Sequence, residues 1–235
     1  MSWSKFRVTK IRRRPDLARR ASAMCAGLGW VERASWVSPA PSRSSRSPMP
    51  PAGQETAIRD AVAWLDCWRV DDHGWPDHAT GRELADGATP TRHGRRTAWC
   101  YGAPGIARSL LHAARALDDN ALAEAARADL VELVELDAQQ AAWDTEGPTL
   151  CHGYAGVLRC ATGVDHDMAE HAAAQLTQSL DCERPFLVTH VEHGNSHDNP
   201  GFLTGAAGVA LTLSELAELP ARSATTPWDA MLLIA

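Results

Sequence analysis

The sequence predicts an all-α protein built from stacked helical hairpins, and three observations carry that prediction. Apolar residues recur at helical spacing over most of the chain beyond Gln54. Strand alternation appears nowhere over a useful length; Phe186 to His190 is the only β-leaning run. A Gly-x-x-Gly motif returns three times at a nearly constant interval, each time opening a helix of small apolar residues.

The elements follow in order. Ile58, Val62, Leu65 and Trp68 lie four, three and three residues apart, which marks one face of a first helix. Trp75-Pro76 ends it, and a polar loop is expected from there to about Arg96. Helices are expected over Ile106–Leu117 and Leu122–Leu136, the second with Ala126, Leu130, Leu133 and Val134 on one stripe and acids opposite. A further helix begins at Val157–Cys160, and Met168–Leu180 and Ala206–Leu219 complete the set. Met1 to Gly53 is basic and rich in Pro and Ser toward its end, a composition that cannot build a packed core. It reads as a disordered leader, and the abrupt change near Gln54 favours a segment not original to the domain. The expected division is therefore 1–53 and 54–235.

The repeat matters more than any single helix. Trp99-Cys100-Tyr101-Gly102-Ala103-Pro104-Gly105 aligns with Leu150-Cys151-His152-Gly153-Tyr154-Ala155-Gly156 and with Phe202-Leu203-Thr204-Gly205-Ala206-Ala207-Gly208. The first glycines stand 51 and then 52 residues apart. Two helices per unit of that length fit an array of hairpins. The glycines are expected to serve turns with φ > 0 and close backbone approach.

Composition narrows the function. Residues 1–50 hold 11 Lys or Arg against 2 acids, a balance of +9, whereas the rest holds 12 Arg against 27 acids, a balance of −15. The acidic part would repel phosphates, so nucleic acid is not an expected partner. A basic-arm reading of residues 1–50 has no folded motif behind it. No run of about 18 apolar residues is present, so no membrane span is expected. Arg19-Arg20-Ala21-Ser22 has a twin-arginine look, but Gly27 and Gly29 break the stretch after it. A basic arm is preferred to an export signal, which leaves a cytoplasmic location. The six cysteines sit in a chain neither short nor loop-rich, so reduced thiols or metal ligation are preferred to disulfides.

Two repeats place metal-binding side chains just before the first glycine. Cys100 lies two residues before Gly102, and Cys151 and His152 lie two and one before Gly153. Equivalent positions of repeated hairpins approach a common axis, so the three are expected to meet. Two thiolates and an imidazole suit zinc. Three protein ligands with one position open is the pattern of catalytic rather than structural zinc. Taken alone, a cysteine in an apolar segment is as readily a small buried hydrophobe. Spacing by itself leaves both readings open.

The motif Trp99-Cys100-Tyr101-Gly102-x-x-Gly105, followed about fifty residues later by Cys151-His152-Gly153-x-x-Gly156, resembles the lanthionine synthetase C family. Asn199 to Gly208 is similar to that family's last repeat, and Trp228-Asp229-Ala230-Met231-Leu232-Leu233 to its C-terminal segment. The resemblance runs from about Gln54 to Ala235, roughly the second half of a usual member. It implies an α/α toroid of repeated helical hairpins, here an incomplete ring, with zinc on Cys100, Cys151 and His152. It also implies a cyclase that adds cysteine thiols of a dehydrated precursor peptide to dehydroalanine or dehydrobutyrine. A lanthipeptide dehydratase is the further partner implied. Arg96 matches an arginine lining the family's site, and Tyr101 matches the motif tyrosine; both are catalytic candidates. Trp99 is assigned to packing.

The resemblance is incomplete. The family's catalytic His, in an earlier His-Gly-x-x-Gly repeat, has no counterpart, nor does an Asp from its N-terminal half. The alternative is therefore a non-catalytic zinc-holding remnant or a partner that binds precursor peptide. His190, His193 and His197 form a local group, read as loop residues rather than a substitute acid. A glycoside hydrolase on a similar toroid would need paired carboxylates at the repeat turns. The turns carry Cys and His instead.

Overall fold

Side chains with helical periodicity and glycines at fixed intervals leave helices to pack on helices, and the structure does this. The computed structural model describes residues 53–70, 74–76, 78–87, 97–140, 146–192, 194–217, 228–232 and 234, with side chains 132–140 and 231 excepted. The leader, Arg96 and His193 lie outside the described residues. The chain divides into two units, Met1–Gly94 and Arg95–Ala235.

In the first unit, helix α1 spans Gln54–Cys67. Of its expected apolar face, Ile58, Val62 and Leu65 are half-buried and only Trp68 is buried. The indole of Trp75 donates a 2.8 Å hydrogen bond to the Leu65 carbonyl, and the Arg69 guanidinium lies 4.4 Å from the Trp75 ring centre. The segment expected as a polar loop contains a short helix α2, Gly81–Asp86. Thr80 caps it: its hydroxyl accepts from the Glu83 amide while the Glu83 carboxylate accepts from the Thr80 amide. This reciprocal box is written in the sequence as Thr80-x-x-Glu83, but no apolar stripe follows it to mark a helix.

In the second unit, α3 (Ala103–Leu117) pairs with α4 (Asn120–Gln140), and α5 (Tyr154–Ala161) pairs with α6 (His166–Gln178). Across the hairpins α3 packs on α5, α5 on α7 (Ala206–Leu216), and α4 on α6. The result is two layers: α3, α5 and α7, the helices opened by the glycine motifs, and α4 and α6. Small residues fill the first layer, with Ala107, Ala155 and Ala161 fully buried. The second layer presents spaced stripes, Leu122, Ala126 and Leu130 on α4 and Met168, Ala172 and Leu176 on α6. Asp119 and Asp165 cap α4 and α6 by accepting from the amides of Leu122 and Met168.

The repeat glycines act by proximity. A Cβ on Gly105, Gly156 or Gly208 would lie 1.8, 2.2 or 2.0 Å from the carbonyl oxygen of Trp99, Leu150 or Phe202, in each case six residues upstream. The same backbone approach, three times, shows that the three motifs are one structural unit. The expectation of φ > 0 was wrong for the first glycines: Gly102, Gly153 and Gly205 have φ of −103°, −155° and −154°. They are N-caps with β-region backbone, a conformation open to any residue. Gly153 and Gly205 lack space for a side chain, since a Cβ would meet the Gly147 and Asn199 carbonyls at 2.1 and 2.2 Å.

One departure from the all-helical expectation is a hairpin of β1 (Thr189–Glu192) and β2 (Asn195–Asp198), antiparallel, with His190 opposite His197 and Glu192 opposite Asn195. The β-leaning run Phe186–His190 only overlaps β1: Phe186 and Leu187 lie in the preceding turn, where Leu187 has φ +61°. The strands escape period-two detection because β2, Asn-Ser-His-Asp, has no apolar face.

The C-terminal segment ties the repeats together. Buried Asp229 accepts from Arg159 of α5, whose guanidinium also pairs with Glu215 of α7 at 2.5 Å. Phe202 meets Trp228 edge to face at 5.7 Å. The Trp99 indole donates to the Leu232 carbonyl at 3.1 Å, in keeping with its assignment to packing. Among the described residues, Cys67, Cys100, Cys151, Cys160 and Cys182 form no disulfide. No described helix is long and apolar enough to cross a membrane.

Candidate metal centre

Backbone hydrogen bonds stitch the three glycine turns edge to edge. The Trp99 amide donates to the Cys151 carbonyl and the Cys151 amide donates to the Leu203 carbonyl, each at 2.9 Å. Because the turns are in register, the side chains just before their glycines converge. Cys100 Sγ lies 3.1 Å and Cys151 Sγ 3.5 Å from His152 Nε2. One ligand atom from each of the three falls within 4.8 Å of the others, so the group can hold a metal ion. The third turn contributes the Leu203 carbonyl as a backbone support, and Thr204 is engaged by Asn199.

Cys151 is buried and Cys100 exposed, so the cluster is open to an incoming group on the Cys100 side. The Tyr101 ring lies 5.4 Å from that of His152, tilted by 52°. Tyr101 is thus at the site, while Arg96 lies outside the described residues.

Sequence reasoning missed Glu146. Its carboxylate accepts a 2.5 Å hydrogen bond from His152 Nδ1 and so turns Nε2 toward the two sulfurs. The His152 amide donates to the buried Thr149 hydroxyl at 3.2 Å. Glu146 is itself held by the hairpin: the Val191 amide and the His190 ring both donate to its carbonyl, at 3.0 and 3.1 Å. Gly147 follows at φ +105°, and a Cβ there would meet the Thr189 carbonyl at 1.9 Å. The only signal in the sequence was an acid before Gly147-Pro148, six residues from the histidine, a spacing with no standard meaning.

The electrostatics follow from these contacts. The hydrogen bond to Cys100 and the neighbouring Glu146 carboxylate raise His152 to about 9. The Cys151 thiol holds that of Cys100 far above the ordinary thiol range. Without a cation His152 and Cys100 therefore keep their protons at neutral pH. Two sulfurs and one imidazole make a donor set suited to zinc, and an imidazole whose far nitrogen donates to a carboxylate is the usual form of a histidine ligand.

Known proteins resemble this chain. The model of the lanthionine synthetase C-like protein family matches residues 50–233. Nisin biosynthesis protein NisC of Lactococcus lactis subsp. lactis is 27% identical over 120 residues, which cover 51% of this chain and 27% of that protein. The solved structure of nisin cyclase superposes with a TM-score of 0.59 at 20% identity, covering 89% of this chain and 48% of the other. The chain spans about half the length of that structure, and its hairpins are those of an α/α toroid. With a family match over residues 50–233 and paired helices opened by glycine turns, the chain belongs to the lanthionine synthetase C-like family.

Proposed function

We propose that this chain carries the zinc-binding, thiol-activating part of a lanthionine cyclase, with Cys100, Cys151 and His152 as ligands. The observation that carries the reading is the convergence of those three donors, His152 being oriented by Glu146. Cys100, Cys151 and His152 would hold a zinc ion, which when bound would lower the pKa of a substrate cysteine thiol into the physiological range and so supply its thiolate.

The chemistry asked of the chain is an addition. A thiolate attacks the β-carbon of a dehydroalanine or dehydrobutyrine residue, and the C–S bond forms as the alkene electrons move toward the peptide carbonyl. The resulting enolate takes a proton at the α-carbon, so the reaction joins a thiol to an alkene with no atom lost. The exposed Cys100 side admits the peptide. Tyr101, against the His152 ring, orients groups beside the site, and Arg96 is the proposed cationic partner for the enolate. The substrate is a dehydrated precursor peptide supplied by a dehydratase, and a cytoplasmic location suits ligands that must stay reduced.

Zinc content of the purified chain, measured beside a Cys100→Ala, Cys151→Ala variant, tests the ligand set. A bound zinc that is lost in the variant supports it. An unchanged zinc content sinks it. A peptide with one cysteine and one dehydroalanine then tests activity, through loss of free thiol at unchanged mass.

A further inference from the structure

We propose that His190, Glu192 and His197 form a second metal site, on one face of the β1–β2 hairpin, for a divalent first-row ion such as zinc. His190 and His197 are direct cross-strand partners, and Glu192 lies two residues along β1. Side chains two apart on a strand, and those directly opposite across a ladder, share a face. One ligand atom from each lies within 4.8 Å of the others, so no rearrangement of the strands is needed to bring them together. The His190 and His197 rings stand 5.1 Å apart at 89°.

His190 is prepared for this role. It is buried, and its Nδ1 lies 3.1 Å from the Glu146 carbonyl oxygen. A carbonyl only accepts, so Nδ1 carries the hydrogen, which leaves Nε2 as the nitrogen for a metal. That tautomer, fixed by a backbone carbonyl, is the one metal-bound histidines adopt. Glu192 and His197 are exposed, which gives an ion a path from solvent. Two imidazoles and one carboxylate make a three-ligand zinc set with a position left open. Nitrogen and oxygen donors of this kind favour zinc, nickel and copper over magnesium or calcium. The set shares no ligand with the thiol cluster, so each can be emptied alone, and this site stands whether or not the proposed cyclase function does.

The test uses the full chain with zinc, then cobalt(II), as probe. Two zinc ions per chain are expected for the unaltered protein, one for Cys100→Ala, Cys151→Ala, and one for Glu192→Gln, His197→Ala, which leaves the His190 hydrogen bond to the Glu146 carbonyl in place. In the cysteine variant, bound cobalt should show visible ligand-field bands without sulfur-to-metal charge transfer. A folded cysteine variant that binds no zinc in excess metal overturns the proposal. Should that double variant fail to fold, Glu192→Gln alone replaces it, at an exposed side chain. In the cysteine-variant background it should weaken zinc binding by at least about tenfold, the scale on which even outer partners act. Unchanged affinity there overturns the site equally.

Discussion

Glu146 accepts a 2.5 Å hydrogen bond from Nδ1 of His152, reaching the candidate metal centre from a residue outside every repeat motif. That bond fixes which imidazole nitrogen faces Cys100 and Cys151. Replacing Glu146 with Ala should weaken zinc binding by roughly 10–100-fold while leaving the helical fold intact, because the carboxylate orients a ligand without being one. Competition with a chromogenic chelator measures this. Affinity equal to that of the unaltered chain would remove Glu146 from the centre.

The pH dependence has opposite signs in the metal-free and metal-bound chains. His152 is raised from 6.5 to about 9 in the fold, so its contribution to metal-free stability is full below pH 6.5 and is lost as pH rises through about 9. Zinc requires the neutral imidazole and deprotonated thiols, so binding strengthens as pH rises. At neutral pH the protons on His152 and Cys100 must both leave. Titration calorimetry in buffers of different ionisation enthalpy should therefore show at least two protons released for the zinc bound at this centre. A binding heat independent of buffer would contradict the ligand assignment.

Gly105 separates packing from propensity. Within a helix Gly→Ala ordinarily stabilises by about 1 kcal/mol. Here the new Cβ would sit 1.8 Å from the Trp99 carbonyl, a backbone atom that cannot step aside alone. Gly105→Ala should destabilise by about 1–3 kcal/mol, as overpacking does. Gly81→Ala, whose Cβ meets nothing within 4 Å, should be neutral or stabilising. Paired denaturant melts decide, and equal behaviour of the two variants would refute the close-approach account.

Arg159 and Asp229 form a pair in which the carboxylate is fully buried. Arg159→Ala strands that carboxylate and should cost about 3–5 kcal/mol, while Arg159→Met with Asp229→Leu should cost much less. The comparison of urea midpoints checks it. If the single and double variants lose stability alike, the segment is held by Trp228 and Leu232 rather than by charge.

What was legible in the sequence was whatever repeats. The helices of the second unit appear because 3.6-residue periodicity is imposed by burial of one face, and Leu122, Ala126 and Leu130 or Met168, Ala172 and Leu176 display it openly. The glycine motifs at 102, 153 and 205 announced a common unit, and with it the meeting of Cys100, Cys151 and His152. Boundaries were less legible. α3 begins at Ala103 rather than Ile106 because Gly102 caps it and Pro104 suits its first turn.

By itself, then, the sequence determined the helical class, the repeated unit and three converging donors, since each is local or recurs at a fixed interval. Only the tertiary structure decided what orients those donors. Glu146 reaches His152 because Gly147 turns at φ +105° against Thr189, and the hairpin at 189–198 holds that turn in place. The pairing of His190 with His197 and of Arg159 with Asp229 is equally invisible beforehand. Such contacts join segments at irregular separations, and no period along the chain encodes them. They exist because packing brings distant backbones together and leaves each buried polar group needing a partner.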